Sequence, residues 1–96
     1  MATEKIWDAF ERLKSVFVGK GTDKKQSIAR LVEIMANGND CYKALFNSEF
    51  TELTSIGNTY RIRHHETNKI EIVDERYYDY FYSRCFALVA LVIKYI

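Results

Sequence analysis

The sequence predicts an all-α domain of four helices, and three observations support that fold class. Apolar residues recur at helical spacing in four segments. The first of these stripes, at i, i+4, i+7 and i+11, consists of Ile6, Phe10, Leu13 and Phe17. The chain contains no proline, so no ring interrupts a long helix. Its 96 residues, 48% of them hydrophobic, suffice for one small domain with its own core, and we expect a single domain over residues 1–96.

The first two helices are predicted over residues 3–18 and 23–37. Thr3 is the expected N-cap of the first helix, whose flank carries Asp8 and Arg12 as an i,i+4 pair. A loop at residues 19–22 separates the two helices. Gly38 is expected to end the second helix, because glycine tolerates the left-handed conformation of a helix terminus.

A third, longer helix is predicted to start at Asn39 or Asp40. Its apolar stripe falls within an arc of roughly 120° on a helical wheel. The stripe consists of Tyr42, Phe46, Phe50, Leu53, Ile56 and Tyr60. Glu49 falls inside the arc, where a carboxylate is costly unless it is paired. It is either bonded to an arginine such as Arg84 or placed at the edge of the stripe, and we favour the edge.

Continuing the same wheel beyond Gly57 places the following residues on two faces. His64 falls on the arc that faces the core. The opposite, polar face holds Asn58, Arg61 and His65. Ile62 also points outward, which predicts either a bend at Gly57 or a surface that meets a partner subunit.

Residues 67–74 are predicted to form an extended connector, with a short strand as an option, because Ile70 and Ile72 alternate with polar neighbours. Asp74 then caps a fourth helix over residues 75–96. The apolar arc of this helix is near 240°, which is more than one face of a four-helix domain requires. Two interpretations stay open: a central helix wrapped by the other three, or a helix that packs in the core and also builds a homodimer.

Charge and cysteine content exclude several classes of protein. The 14 basic and 13 acidic side chains give a net charge of +1, so any anion site must be local. The apolar run at residues 85–93 is shorter than the roughly 20 residues that span a membrane. The N-terminus has acids among its bases and no apolar region of a signal peptide. Cys41 and Cys85 lack metal-like spacing. We therefore expect reduced thiols in a soluble, cytoplasmic protein with no membrane partner.

The densest chemistry lies between the third and fourth helices. Nine consecutive residues contain Asn58, Arg61, Arg63, His64, His65 and Glu66. Histidine titrates near neutrality and arginine binds phosphate bidentately, so this cluster suits proton transfer at a phosphate. The alternative is a solvated helix end whose cations complement the helix dipole. Adjacent residues on a helix point apart, so His64, His65 and Glu66 do not predict a metal site, and no cofactor is expected.

Four stretches of the chain resemble the HEPN superfamily, which comprises small all-α nucleotide-binding and RNase domains of prokaryotic defence systems. They are EKIWDAFERLK at 4–14, DKKQSIARLV at 23–32, EFTELTSIGNTYRIRHHET at 49–67 and YDYFYSRCFALV at 78–89. Within that superfamily the chain is similar to the C-terminal domain of abortive-infection proteins. The resemblance implies a four-helix HEPN-like bundle and a homodimer through helix four and the end of helix three. The chain ends at Ile96 inside an apolar helix without a C-cap, so one open expectation is that it is the C-terminal part of a larger phage-defence protein, with an upstream domain or an antitoxin partner as options.

The activity implied by the resemblance is metal-independent RNA cleavage. His64 or His65 would deprotonate the 2′-hydroxyl or protonate the leaving 5′-oxygen. Arg61 and Arg63 would stabilise charge on the phosphorane, and the product would carry a 2′,3′-cyclic phosphate. The candidate substrate-binding residues are Asn58 and Glu66, with Asn58 orienting the phosphate or an imidazole.

The spacing of the motif departs from the superfamily, which places more residues between its arginine and its histidine. Three residues separate Arg61 from His65, two separate it from His64, and position 57 is glycine. The alternative function is a non-catalytic dimerisation module, or an RNA- or nucleotide-binding module, of a defence protein. An enzyme would need His64 and His65 for activity, whereas a scaffold would need them for stability or dimerisation.

Overall fold

The computed structural model describes all 96 residues and contains four α-helices. They span Ala2–Lys14 (α1), Lys24–Ala36 (α2), Asp40–Thr59 (α3) and Glu75–Ile93 (α4). Between α3 and α4 the only strand-like contact is one isolated parallel bridge, which joins Tyr60 to Ile70. The predicted all-α, four-helix fold is therefore confirmed. A non-helical connector precedes α4, but residues 67–69 of the predicted extended segment form turns instead.

Helix α1 ends four residues earlier than the sequence predicts. Its N-cap is Met1, without a side-chain hydrogen bond, so the prediction that Thr3 caps the helix is wrong; Thr3 is buried instead. At the other end, the backbone N–H of Phe17 donates to the hydroxyl of Ser27 at 3.0 Å. This bond replaces a further helical turn and ties the end of α1 to α2.

Side chains cap the other three helices. Asp23 and Gln26 form a reciprocal capping box at the start of α2. Asn39 accepts two backbone N–H bonds at the start of α3, and Asp74 caps α4 as predicted. Each such cap typically stabilises a helix by about 0.5–2 kcal/mol. Gly38 follows α2 with a φ of +79°, which agrees with its predicted role at the helix end.

The helices enclose one core. α1 packs mainly against α4, α2 packs mainly against α3, and α1 also contacts α2. Aromatic side chains join the pairs: Phe10 stacks on Phe50 with ring centroids 5.8 Å apart, and Trp7 meets Phe81 edge-on at 6.4 Å. The largest fully buried side chains are Trp7, Phe10, Phe50, Leu31, Leu53 and Ile62.

Gly57 lies where the indole of Trp7, on α1, packs directly against the backbone of α3. The indole Nε1 of Trp7 donates to the Leu53 carbonyl at 3.3 Å, and a Cβ at position 57 would lie 2.6 Å from that nitrogen. Glycine is therefore present to admit the indole. Because Gly57 lies within α3, its role is close packing, and the helix continues to Thr59.

Glu49 satisfies both interpretations offered for it. Its carboxylate accepts from the Arg84 guanidinium at 2.8 Å, and its side chain is 30% exposed. It therefore lies at the edge of the α3 stripe and is also paired, which links α3 to α4.

Helix α4 is buried on one side and open on the other. Its buried residues are Cys85, Leu88, Val89 and Val92. Phe86 and Ile93 keep 49% and 57% of their surface exposed. The other helices therefore do not wrap α4 completely. Burial raises the pKa of the Cys85 thiol to about 12, so this thiol is neutral in the folded chain.

No helix of the chain combines the length and the apolar character that a bilayer crossing requires.

Candidate functional site

The predicted site residues lie mostly on a loop that follows α3. Helix α3 ends at Thr59, and Tyr60 is already extended, with φ −100° and ψ 149°. Residues 61–69, here called the Arg–His loop, are not helical. The helical wheel beyond Gly57 is therefore wrong for this segment. His64, predicted to face the core, is exposed, and Ile62, predicted to point outward, is completely buried.

Two backbone hydrogen bonds close the loop at its base. The N–H of Arg61 donates to the Ile70 carbonyl at 2.7 Å, and the N–H of Ile70 donates to the Thr59 carbonyl at 3.0 Å. Ile62 inserts into the core just beyond this closure. The loop is thus anchored by one apolar side chain and by strand-like pairing. Sequence periodicity missed the anchor because a helical period was assumed where the chain is extended.

A charge network holds the loop against α1 and α3. The guanidinium of Arg63 donates to Asp8 Oδ1 at 2.6 Å, and the ammonium of Lys69 lies 2.6 Å from Glu66 Oε2. Lys69 also donates to the Gly57 carbonyl at 3.0 Å, where the end of α3 presents carbonyls without helical partners. The two cations thus bind groups of the chain itself.

The ionisation of this network follows from its contacts. The hydrogen bond from Lys69 lowers the pKa of Glu66 below its ordinary value, and nearby Arg63 acts in the same direction. The hydrogen bond to Asp8 raises the pKa of Arg63. Glu66 Oε1 is buried without a hydrogen bond and lies 3.9 Å from the Arg63 guanidinium. The carboxylate of Glu66, a candidate substrate-binding residue, therefore already lies beside two cations of the loop, Lys69 and Arg63.

Arg61 folds back on its own loop. Its Nε donates to the His64 carbonyl at 2.9 Å, and its Nη2 binds the same oxygen. This contact fixes the turn that carries the histidines. The side chains of Asn58, His64 and His65 are exposed, and none of them makes a hydrogen bond or an ion pair within the chain.

The predicted site residues thus divide into two groups. Arg61, Arg63 and Glu66 are bound within the chain, whereas the side chains of His64 and His65 are free. The four main surface grooves, of about 270 to 420 Å³, are lined by other parts of the chain. None of these four grooves is lined by His64 or His65.

Two functional partners of the loop were absent from the sequence interpretation. The i,i+4 spacing predicts that Asp8 pairs with Arg12, but its carboxylate binds Arg63, which is 55 positions away. The sequence pattern places Lys69 in the extended connector and predicts no partner for it. No local sequence signal links an acid on the first helix to a distant arginine. The pair formed by Glu66 and Lys69, three residues apart, could have been predicted from their spacing.

The chain holds no group of three His, Cys, Asp or Glu residues arranged to bind a metal ion. No protein-family model, curated protein or solved structure matches the chain.

Proposed function

We propose that this chain is a non-catalytic self-association module that forms a homodimer through α4. The observation that carries the proposal is the open side of α4, where Phe86 and Ile93 remain about half exposed. Burying a large apolar side chain stabilises a complex by about 1.5–3 kcal/mol relative to leaving it in water. Two such groups on the same side of one helix offer a surface that a partner can cover.

The end of α3, the other expected part of the interface, contributes less. Its last exposed residues are Asn58 and Thr59, which are polar, and the Arg–His loop packs beside them. The interface is therefore assigned to α4. In this proposal the Arg–His loop stabilises the fold, because Arg63 and Lys69 bind acids of the chain. The resemblance to HEPN-like domains of phage-defence proteins agrees with a dimer of this kind.

Sedimentation equilibrium of the purified chain over a wide concentration range tests the proposal. A reversible monomer–dimer equilibrium is expected. Phe86→Ser should shift it toward monomer, and the matched control Tyr42→Ser, on the equally exposed surface of α3, should leave it unchanged. A chain that stays monomeric at the highest concentration would overturn the proposal.

A second function, metal-independent RNA cleavage, is favoured by one observation. His64 and His65 are both exposed and unbound, on a turn fixed by Arg61. One imidazole would act as base toward the 2′-hydroxyl and the other, or its copy in a second subunit, as acid toward the 5′-oxygen. To stabilise the phosphorane, Arg61 would have to leave the His64 carbonyl and Arg63 would have to leave Asp8.

Incubation of the protein with total RNA in EDTA tests this second function. Cleavage that leaves 2′,3′-cyclic phosphate ends is expected from the wild type and not from His64→Ala/His65→Ala. Asn68→Ala is the matched control, since it removes another exposed polar side chain of the same loop. Intact RNA after incubation with a folded dimer would exclude cleavage by the chain and leave RNA or nucleotide binding to be measured by fluorescence anisotropy.

A further inference from the structure

We infer that the open side of α4 pairs antiparallel with the same side of a second copy of the chain. This inference rests on the proposed self-association and specifies its geometry. The open side is here called the α4 stripe. It consists of Asp79, Ser83, Phe86, Ala87, Ala90, Ile93 and Lys94.

Side-chain size along the stripe permits two helices to approach closely. Ser83, Ala87 and Ala90 follow one another at i, i+4 and i+7, so they lie on one line of the helix surface. Phe86 and Ile93 flank that line, seven residues apart. Small residues in the middle and large ones at the side let the ridges of one helix enter the grooves of another at interaxial distances of about 8–10 Å.

The charges of the stripe decide the direction of pairing. Asp79 lies near its N-terminal end and Lys94 at its C-terminal end, about 22 Å apart at 1.5 Å per residue. Both side chains are exposed and neither forms an ion pair within the chain. Antiparallel pairing places each Asp79 near Lys94 of the other copy, whereas parallel pairing would place like charges together at both ends.

The remaining charged groups near the stripe do not reverse this preference. Arg76, at the acidic end, binds Asp74 at 2.7 Å, and Arg84, on the flank, binds Glu49 at 2.8 Å. Glu75 is exposed without an ion pair and adds to the acidic end. An antiparallel contact about a two-fold axis is also closed, because each copy uses the same surface and no third copy can add to it.

Charge exchange between the two ends tests the inference. Asp79→Lys and Lys94→Asp each place like charges at both ends of the antiparallel pair, so each should weaken the dimer about tenfold. The double variant Asp79→Lys/Lys94→Asp should recover the wild-type dissociation constant in sedimentation equilibrium. Glu52→Lys, an exposed acid of α3 without an ion pair, is the matched control and should leave dimerisation unchanged.

A second variant keeps the test independent of charge. Ala87→Glu adds a long charged side chain at the middle of the stripe, where position 87 is exposed in the monomer, and should abolish the dimer without altering the far-UV circular dichroism. A dimer that tolerates both Ala87→Glu and the single charge exchanges would overturn the inference and leave self-association through another surface. A monomeric wild type would overturn the inference and the proposed function together.

Discussion

The Arg–His loop and the α4 stripe differ in where their groups find partners. In the loop, Arg63 binds Asp8, Lys69 binds Glu66, and Ile62 is completely buried. In the stripe, Asp79 and Lys94 have no ion pair, and Ile93 is 57% exposed. The loop has the residue types of a catalytic site, yet most of its charged side chains are paired with other groups of the same chain. The stripe has ordinary residue types, yet its surface has no partner.

This difference shows that residue chemistry and residue availability are separate questions. An arginine can stabilise a phosphate only if its donors are not already bound, and exchanging a salt bridge for a ligand reduces the gain from binding. An exposed apolar side chain has the opposite property, because any partner that covers it gains the burial energy. The experiments that follow change one matched residue in each region.

The largest expected difference is between two isoleucines. Ile62→Ala, in the loop, should lower the free energy of unfolding by about 2–5 kcal/mol, because it opens a cavity in the core. Ile93→Ala, in the stripe, should lower the stability of the monomer by no more than about 0.5 kcal/mol, as expected for a surface position. Urea unfolding followed by circular dichroism measures both values.

The two variants should also differ in how their unfolding depends on protein concentration. If α4 forms the dimer, the free energy of unfolding depends on protein concentration. Ile93→Ala should reduce that dependence, whereas Ile62→Ala should leave the dependence unchanged. Similar losses for the two variants at low concentration would contradict the distinction between an internal loop and an external stripe.

A smaller difference is expected between two aspartates. Asp8→Asn removes the partner of Arg63, whose side chain is 21% exposed while that of Asp8 is 46% exposed. Such a partly exposed pair contributes up to about 1 kcal/mol, and the loss should be visible in urea unfolding. Asp79→Asn should leave the unfolding of the monomer unchanged, since Asp79 has no partner in the chain. Equal losses would show that the contact between Arg63 and Asp8 does not stabilise the loop.

The four helices could be predicted from the sequence because each is specified locally. Apolar stripes and the caps at Asp23, Asn39 and Asp74 are signals contained within a few residues. At the end of α1 the error arose from a residue of another helix, because the Ser27 hydroxyl takes the N–H of Phe17 and ends the helix early. Helix α4 was predicted to reach residue 96 but ends at Ile93, where the N–H groups of Lys94 and Tyr95 bond three residues back and form a turn.

The site was harder to predict for the same reason. The residue types of the Arg–His cluster could be read directly, but their placement depends on the end of α3 and on Asp8, which is 55 positions from Arg63. A helical wheel extended through Tyr60 inverted the orientations of Ile62 and His64. Which arginines and lysines can bind a ligand depends on the ion pairs that the folded chain forms, and these pairs join residues far apart in the sequence.

The smallest expected effect is a dependence of the stability of the loop on pH. Because Lys69 lowers the pKa of Glu66 below its ordinary value of 4.5, the folded state favours the ionised carboxylate. This contribution is fully present above the unfolded pKa, about 4.5, and is lost as the pH falls through the lower pKa of the folded state. Glu66→Gln should therefore melt below wild type at pH 7, and the gap should shrink as the pH falls below about 4.5.

Glu71→Gln is the matched control for the pH experiment, because Glu71 is exposed and forms no ion pair. Its melting temperature should follow that of wild type across the whole range, measured by circular dichroism at constant ionic strength. A gap between wild type and Glu66→Gln that stays constant from neutral to acidic pH would mean that packing of residue 66, and not its charge, stabilises the loop. The cations around it would then be available to a ligand at less cost, which would favour the catalytic interpretation of the Arg–His loop over the structural one.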